Sequence, residues 1–134
     1  MNTIKALPVR TYRVRFMFEG ELPTFTENKE NAKENVLTRL LKDLPDVEKY
    51  LGMTIIKEDF ITDVDLIEKY EDNYHRFNVS FALESEALID GESEEDATTK
   101  ANNRIKAVID KVDLKLGTSF GENATFVSQV TSCT

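Results

Sequence analysis

Tyr12-Arg13-Val14-Arg15-Phe16-Met17-Phe18, residues 12–18, decides how this chain is built. Large apolar residues at 12, 14, 16 and 18 alternate with Arg13, Arg15 and Met17. Side chains on a strand point to opposite faces in turn, so this is a strand with one buried face. Sixty-five residues later, Phe77-Asn78-Val79-Ser80-Phe81-Ala82-Leu83 has the same alternation.

The match continues at a constant offset. Asn28 meets Ser93, Glu30 meets Glu95, and Ala32 meets Ala97. Val36, Arg39, Leu40 and Leu44 meet Ala101, Arg104, Ile105 and Ile109. Leu51 and Gly52 meet Leu116 and Gly117. A constant register through strand, cap, apolar face and glycine points to an internal duplication, with pseudo-repeats of about 10–69 and 75–134. Two copies are too few for a solenoid, so one closed domain is expected.

Each half reads as strand, helix, strand. Asn28 and Ser93 are N-cap residues whose short polar side chains accept from the first-turn N–H groups. Asp96, three residues after Ser93, completes a weakened capping box. Ala32, Val36, Leu40 and Leu44 share one face of the first helix, and Ala97, Ala101, Ile105, Val108 and Ile109 one face of the second. Pro45 removes an N–H, so a break is expected there, followed by a short turn closed by Gly52. The first strand is expected to continue raggedly past Gly20 and Pro23 toward Phe25. The third pieces, 53–66 and 115–130, alternate imperfectly; a bulge and a hairpin at Gly121-Glu122-Asn123 are both open. The order β-α-β-β-α-β predicts an α+β fold of ferredoxin-like arrangement: a four-stranded antiparallel sheet with two helices on one face.

Composition narrows the function. The 134 residues suit one domain. Twenty-five acids against 17 bases give a formal charge of -8, which opposes binding to nucleic acid or anionic lipid. Cys133 is the only cysteine, so no internal disulfide forms. No apolar run is long enough to span a membrane, and the first ten residues lack the apolar core of a signal peptide. A cytoplasmic protein is expected.

Catalytic motifs are missing: the sequence contains no GxSxG, Walker loop, GxGxxG or HExxH. One histidine, His75, and one cysteine make zinc clusters and Cys-His or Ser-His-Asp sites hard to assemble. His75 as a general base would need Glu71 or Asp72; otherwise it is a solvated residue at a strand entry. Asp59, Asp63 and Asp65 share a strand face and could edge an oxygen-ligand metal site, but acids along an edge strand also deter edge-to-edge pairing. No catalytic residue, metal or cofactor is assigned.

Two surfaces remain. Glu84, Glu86, Asp90, Glu92, Glu94, Glu95 and Asp96 form the densest acidic run. They fit either a mimic of nucleic-acid charge, such as a viral inhibitor of a basic protein, or acids at the positive end of a helix dipole. The outward sheet face would carry Arg13, Arg15, Met17 and Arg76, with Asn78, Ser80 and Ala82. It is read as a basic patch on an acidic protein, without the outward aromatics that sheet-face RNA binders use. Small and apolar groups ringed by arginine suit a subunit or partner interface. The expectation is a non-enzymatic binding or regulatory domain, self-associating or contacting a protein partner. A small-molecule sensor or carboxylate enzyme is the remaining alternative.

Overall fold

The computed structural model describes residues 8–70 and 74–133. The order is β1 (Arg10–Thr26), α1 (Lys29–Leu51), β2 (Ile55–Ile56), β3 (Ile61–Lys69), β4 (His75–Gly91), α2 (Glu94–Lys106), α3 (Ile109–Leu116), a 3-10 turn (Phe120–Glu122) and β5 (Val127–Ser132). It is an α+β structure with an antiparallel sheet and three α-helices. Among the described residues five strands form, not four.

The long strands β1 and β4 lie side by side in unbroken antiparallel register, from Arg10 opposite Gly91 to Thr26 opposite His75. Phe18 lies opposite Leu83. β5 pairs with the other side of β1, from Tyr12 to Phe16 only. β2 and β3 lie end to end along the free edge of β4. They are the two parts of the first half's third piece. Asp59, at φ 45°, and its neighbours turn the chain out of the ladder between them, while Phe60 stays tied in by accepting from the Ala82 N–H at 2.8 Å. In the second half the corresponding segment forms a 3-10 turn before β5, so neither half makes a hairpin there.

β1 runs through Gly20 and Pro23 without interruption. Pro23 is tolerated because β5 has already left that side of β1, so no ladder there needs its missing N–H. Gly20 is required by packing. A Cβ there would lie 2.9 Å from Phe120 Cε1 and 3.0 Å from Phe81 Cζ.

α1 also runs unbroken through Pro45, contrary to expectation. Pro45 and Leu41, whose carbonyl loses its partner, are both exposed, and water can satisfy that carbonyl. The break falls instead in the second half, where α2 ends at Lys106 and Val108 takes φ -125° before α3. Nothing in the local sequence explains that break. Asn28 and Ser93 cap as expected, accepting from the N–H groups of Asn31 (2.8 Å) and Asp96 (3.0 Å). Asp96 reaches back to the Glu92 N–H at 3.0 Å.

Tyr12, Val14, Phe16, Phe18, Phe77, Val79, Phe81 and Leu83 are buried together with the apolar faces of the helices in one core. The helical stretch of each half, α1 in the first and α2–α3 in the second, ends on a left-handed glycine, Gly52 at φ 67° and Gly117 at φ 73°. The two ends are clamped reciprocally. Arg104 Nη2 donates to the carbonyls of Leu51 and Gly52 at 3.3 and 3.1 Å, and Arg39 Nη2 donates to that of Leu116 at 3.3 Å. A guanidinium at the negative end of a helix dipole is favourable as well as hydrogen-bonded.

Candidate functional site

The helices cover one face of the sheet, and among the described residues nothing covers the other. Long parallel rows of outward side chains result. Along β1 they are Arg13, Arg15, Met17, Glu19 and Glu21, then Pro23 and Phe25. Along β4 the cross-strand register sets Glu86 opposite Arg15, Glu84 opposite Met17, Ala82 opposite Glu19 and Ser80 opposite Glu21. Met17, Ser80, Ala82 and Glu84 are half-buried, and the arginines and Glu19 and Glu21 are exposed.

The register does not bring the expected arginines together. Arg13 and Arg15 sit at one end of the face, level with Leu88 and Glu86, whereas Arg76 lies opposite Phe25. Ten residues of strand separate Arg76 from Glu86, roughly 33 Å. The three-arginine patch is therefore two separate sites. Arg13 is also engaged, its Nε 2.7 Å from Glu86 Oε1. That pair is largely exposed and contributes little to stability.

The acidic run is likewise divided. Glu84 and Glu86 belong to the open face, while Glu94, Glu95 and Asp96 start α2 on the helical layer. Glu92 and Asp90 lie at the turn between them, with Asp90 accepting from the Thr11 hydroxyl at 2.7 Å. Asp96 is held below the usual carboxylate range first by the Glu92 N–H it accepts, then by Lys100 at 3.1 Å. Its acidity serves the cap.

Reading the strands to their true ends adds residues that the shorter alternation missed. Glu19, Glu21, Ile56 and Thr62 join the centre of the open face. Met17, Glu19, Ile56, Glu58, Asp59, Thr62, Ala82 and Glu84 line a shallow depression of about 330 Å³ there. Beyond it, Phe25 stacks on Tyr74 (centroids 5.9 Å, 16°) and leans on Tyr70 (6.3 Å, 30°). All three rings are exposed. The outward face therefore does carry aromatics, at the Arg76 end. Phe25 lies on the expected continuation of β1 past Gly20 and Pro23, and because the alternation there is unbroken it joins the outward face; Tyr70 and Tyr74 become its neighbours only through the sheet. The cluster has an acidic border: the Tyr70 hydroxyl donates to Glu68 at 2.8 Å, which pushes its ionisation up.

Asp63 and Asp65 face outward beside Ser80 and Asn78, but Asp59 lies before β3, in the turn. The three do not share a strand. Among the described residues no group of three or more acids, histidines or cysteines is placed to hold a metal ion. His75 is half-buried, edge-on to Phe77 at 6.3 Å, and its Nδ1 meets no hydrogen-bond partner among the described residues. Glu71 and Asp72, offered as its partners, lie outside the described residues. Cys133 is exposed. No helix among the described residues is long and apolar enough to cross a membrane. Comparison with protein-family models, curated proteins and solved structures finds no match to this chain.

Proposed function

We propose that the chain is a non-catalytic binding or regulatory domain that meets another protein through its open sheet face. One observation carries this reading. Two neighbouring 17-residue strands are covered by helices on one face only, and the bare face has half-buried Met17, Ser80 and Ala82 ringed by charge. A small and apolar centre inside a charged rim, with arginine able to fork onto a carboxylate, is the composition of a protein contact. The abundance of acids on the same face, Glu19, Glu21, Asp63, Asp65 and Glu84, opposes a polyanionic ligand.

We also read the architecture as ferredoxin-like with an interrupted second strand, built by duplication. The order β2/β3–β4–β1–β5 supports that reading. So does the 65-residue spacing of β1 and β4, of α1 and the α2–α3 pair, and of the two glycine caps. The lone exposed cysteine accords with a reducing, cytoplasmic setting.

The reading is tested by Arg13→Glu combined with Arg15→Glu. The expected result is an unchanged circular dichroism spectrum and melting curve, with loss of the chain's protein associations by light scattering and pull-down. Associations that survive the double variant intact would overturn it.

A further inference from the structure

The outward row of β1 has an internal antisymmetry. Counting outward from Met17, Arg15 and Arg13 lie two and four residues to one side, and Glu19 and Glu21 two and four residues to the other. On a strand those steps are roughly 7 and 13 Å. Reversing the strand exchanges arginines for glutamates at matched distances.

Resting on the reading of the open face as a protein contact, we propose that its occupant is a second copy of this chain, laid antiparallel about a twofold axis that crosses the strands at Met17. Such an axis brings Met17 against Met17, Arg15 against Glu19 and Arg13 against Glu21, each charged pairing occurring twice by symmetry. A twofold running along β1 itself would instead set arginine on arginine and glutamate on glutamate, so charge disfavours that parallel overlay of β1 on its copy. Two sheets packed face to face stand about 10 Å apart with strands within about 30°, a gap that arginine and glutamate side chains can bridge. Arg13 keeps donors to spare beyond its contact with Glu86, since a guanidinium has five N–H groups. Ile56, opposite Glu84 in the register, lies near the same axis and adds apolar area to the Met17 contact. Acids near the axis oppose the contact: Glu58 and Asp59 border the same depression as Met17, and Glu84 is the nearest mismatch. It sits beside Met17 and meets its own copy, a like-charge contact.

The test uses the full chain in a Cys133→Ser background, with sedimentation equilibrium reading the dimer dissociation constant. Arg15→Glu alone and Glu19→Arg alone are each expected to weaken the dimer by about tenfold or more, and the two together to restore it within about threefold. Glu84→Gln is expected to tighten it. Single reversals without effect, or a double variant as weak as either single, would overturn the proposal. A chain monomeric up to about 1 mM also overturns it, while leaving the open-face reading to the Arg13/Arg15 test against other proteins. Ala82→Cys separates the remaining case. Its thiol is expected to react more slowly with a maleimide in the dimer, and a dimer that leaves that rate unchanged uses another surface, which overturns the proposal and again leaves the open-face reading to the Arg13/Arg15 test.

Discussion

At the scale of single residues, two positions show how far local pattern carries. Gly20 looks like punctuation in the sequence but is a contact point: Phe120, one hundred residues away, occupies the space of its missing Cβ. Gly20→Ala should therefore destabilise by about 1–3 kcal/mol, as overpacking does, read as a lower midpoint in urea with an unchanged slope. Glu48 is the second. Burial pushes its carboxyl up, but the Ile55 N–H it accepts at 2.9 Å and Lys57 at 3.0 Å outweigh burial, so the folded value lies below the ordinary 4.5. A depressed carboxylate stabilises the fold fully above pH 4.5 and loses that contribution as pH falls through the lower folded value. Glu48→Gln should cost about 1–2 kcal/mol at pH 7, and the gap between variant and wild type should close as an unfolding series is carried to acid. Asp113 does the same work in the second half, accepting from the N–H groups of Phe120 at 2.7 Å and Gly121 at 2.9 Å. Neither role was legible, because each carboxylate meets backbone from the segment after its helix.

At the scale of elements, caps and faces were legible and interruptions were not. Asn28, Ser93, Gly52 and Gly117 end their helices as their side chains and φ angles require. Gly52→Ala puts a Cβ into the left-handed region and 3.1 Å from the Arg104 guanidinium, so a cost of about 1–2 kcal/mol is expected in thermal unfolding. A proline inside a helix usually terminates it, because a hydrogen bond is lost there. The exposed position of Pro45 inside a 23-residue helix predicts the reverse experiment: Pro45→Ala should stabilise by about 1–2 kcal/mol, the gain in helix propensity exceeding the loss of proline's restriction on the unfolded chain. An unchanged or lower melting temperature would show that the Leu41 carbonyl has a partner better than water.

At the scale of the whole molecule, the two halves interlock. β1 finds all its strand partners in the second half, β4 and β5, and Arg39 and Arg104 each clamp the other half's helix end. A fragment of residues 1–70 should therefore show no dispersed amide spectrum alone, and mixing it with residues 74–134 should restore one. Folding of either fragment alone as a monomer would mean that each half closes its own core. Placement of charge belongs to this scale too. Arg13, Arg15 and Arg76 share an outward face by alternation, but only the β1–β4 register, fixed over the full strand length, sets the first two far from the third.

The sequence by itself determined the antiparallel sheet with one buried face, the helix caps and the positions that fill the core, because these follow from period-two and helical spacing and from short-range hydrogen bonds. Only the tertiary structure decided which outward residues are neighbours, where the helices break, and that Phe25, Tyr70 and Tyr74 form one cluster. Those outcomes depend on strand register and on contacts between residues far apart in the chain, which no local pattern encodes.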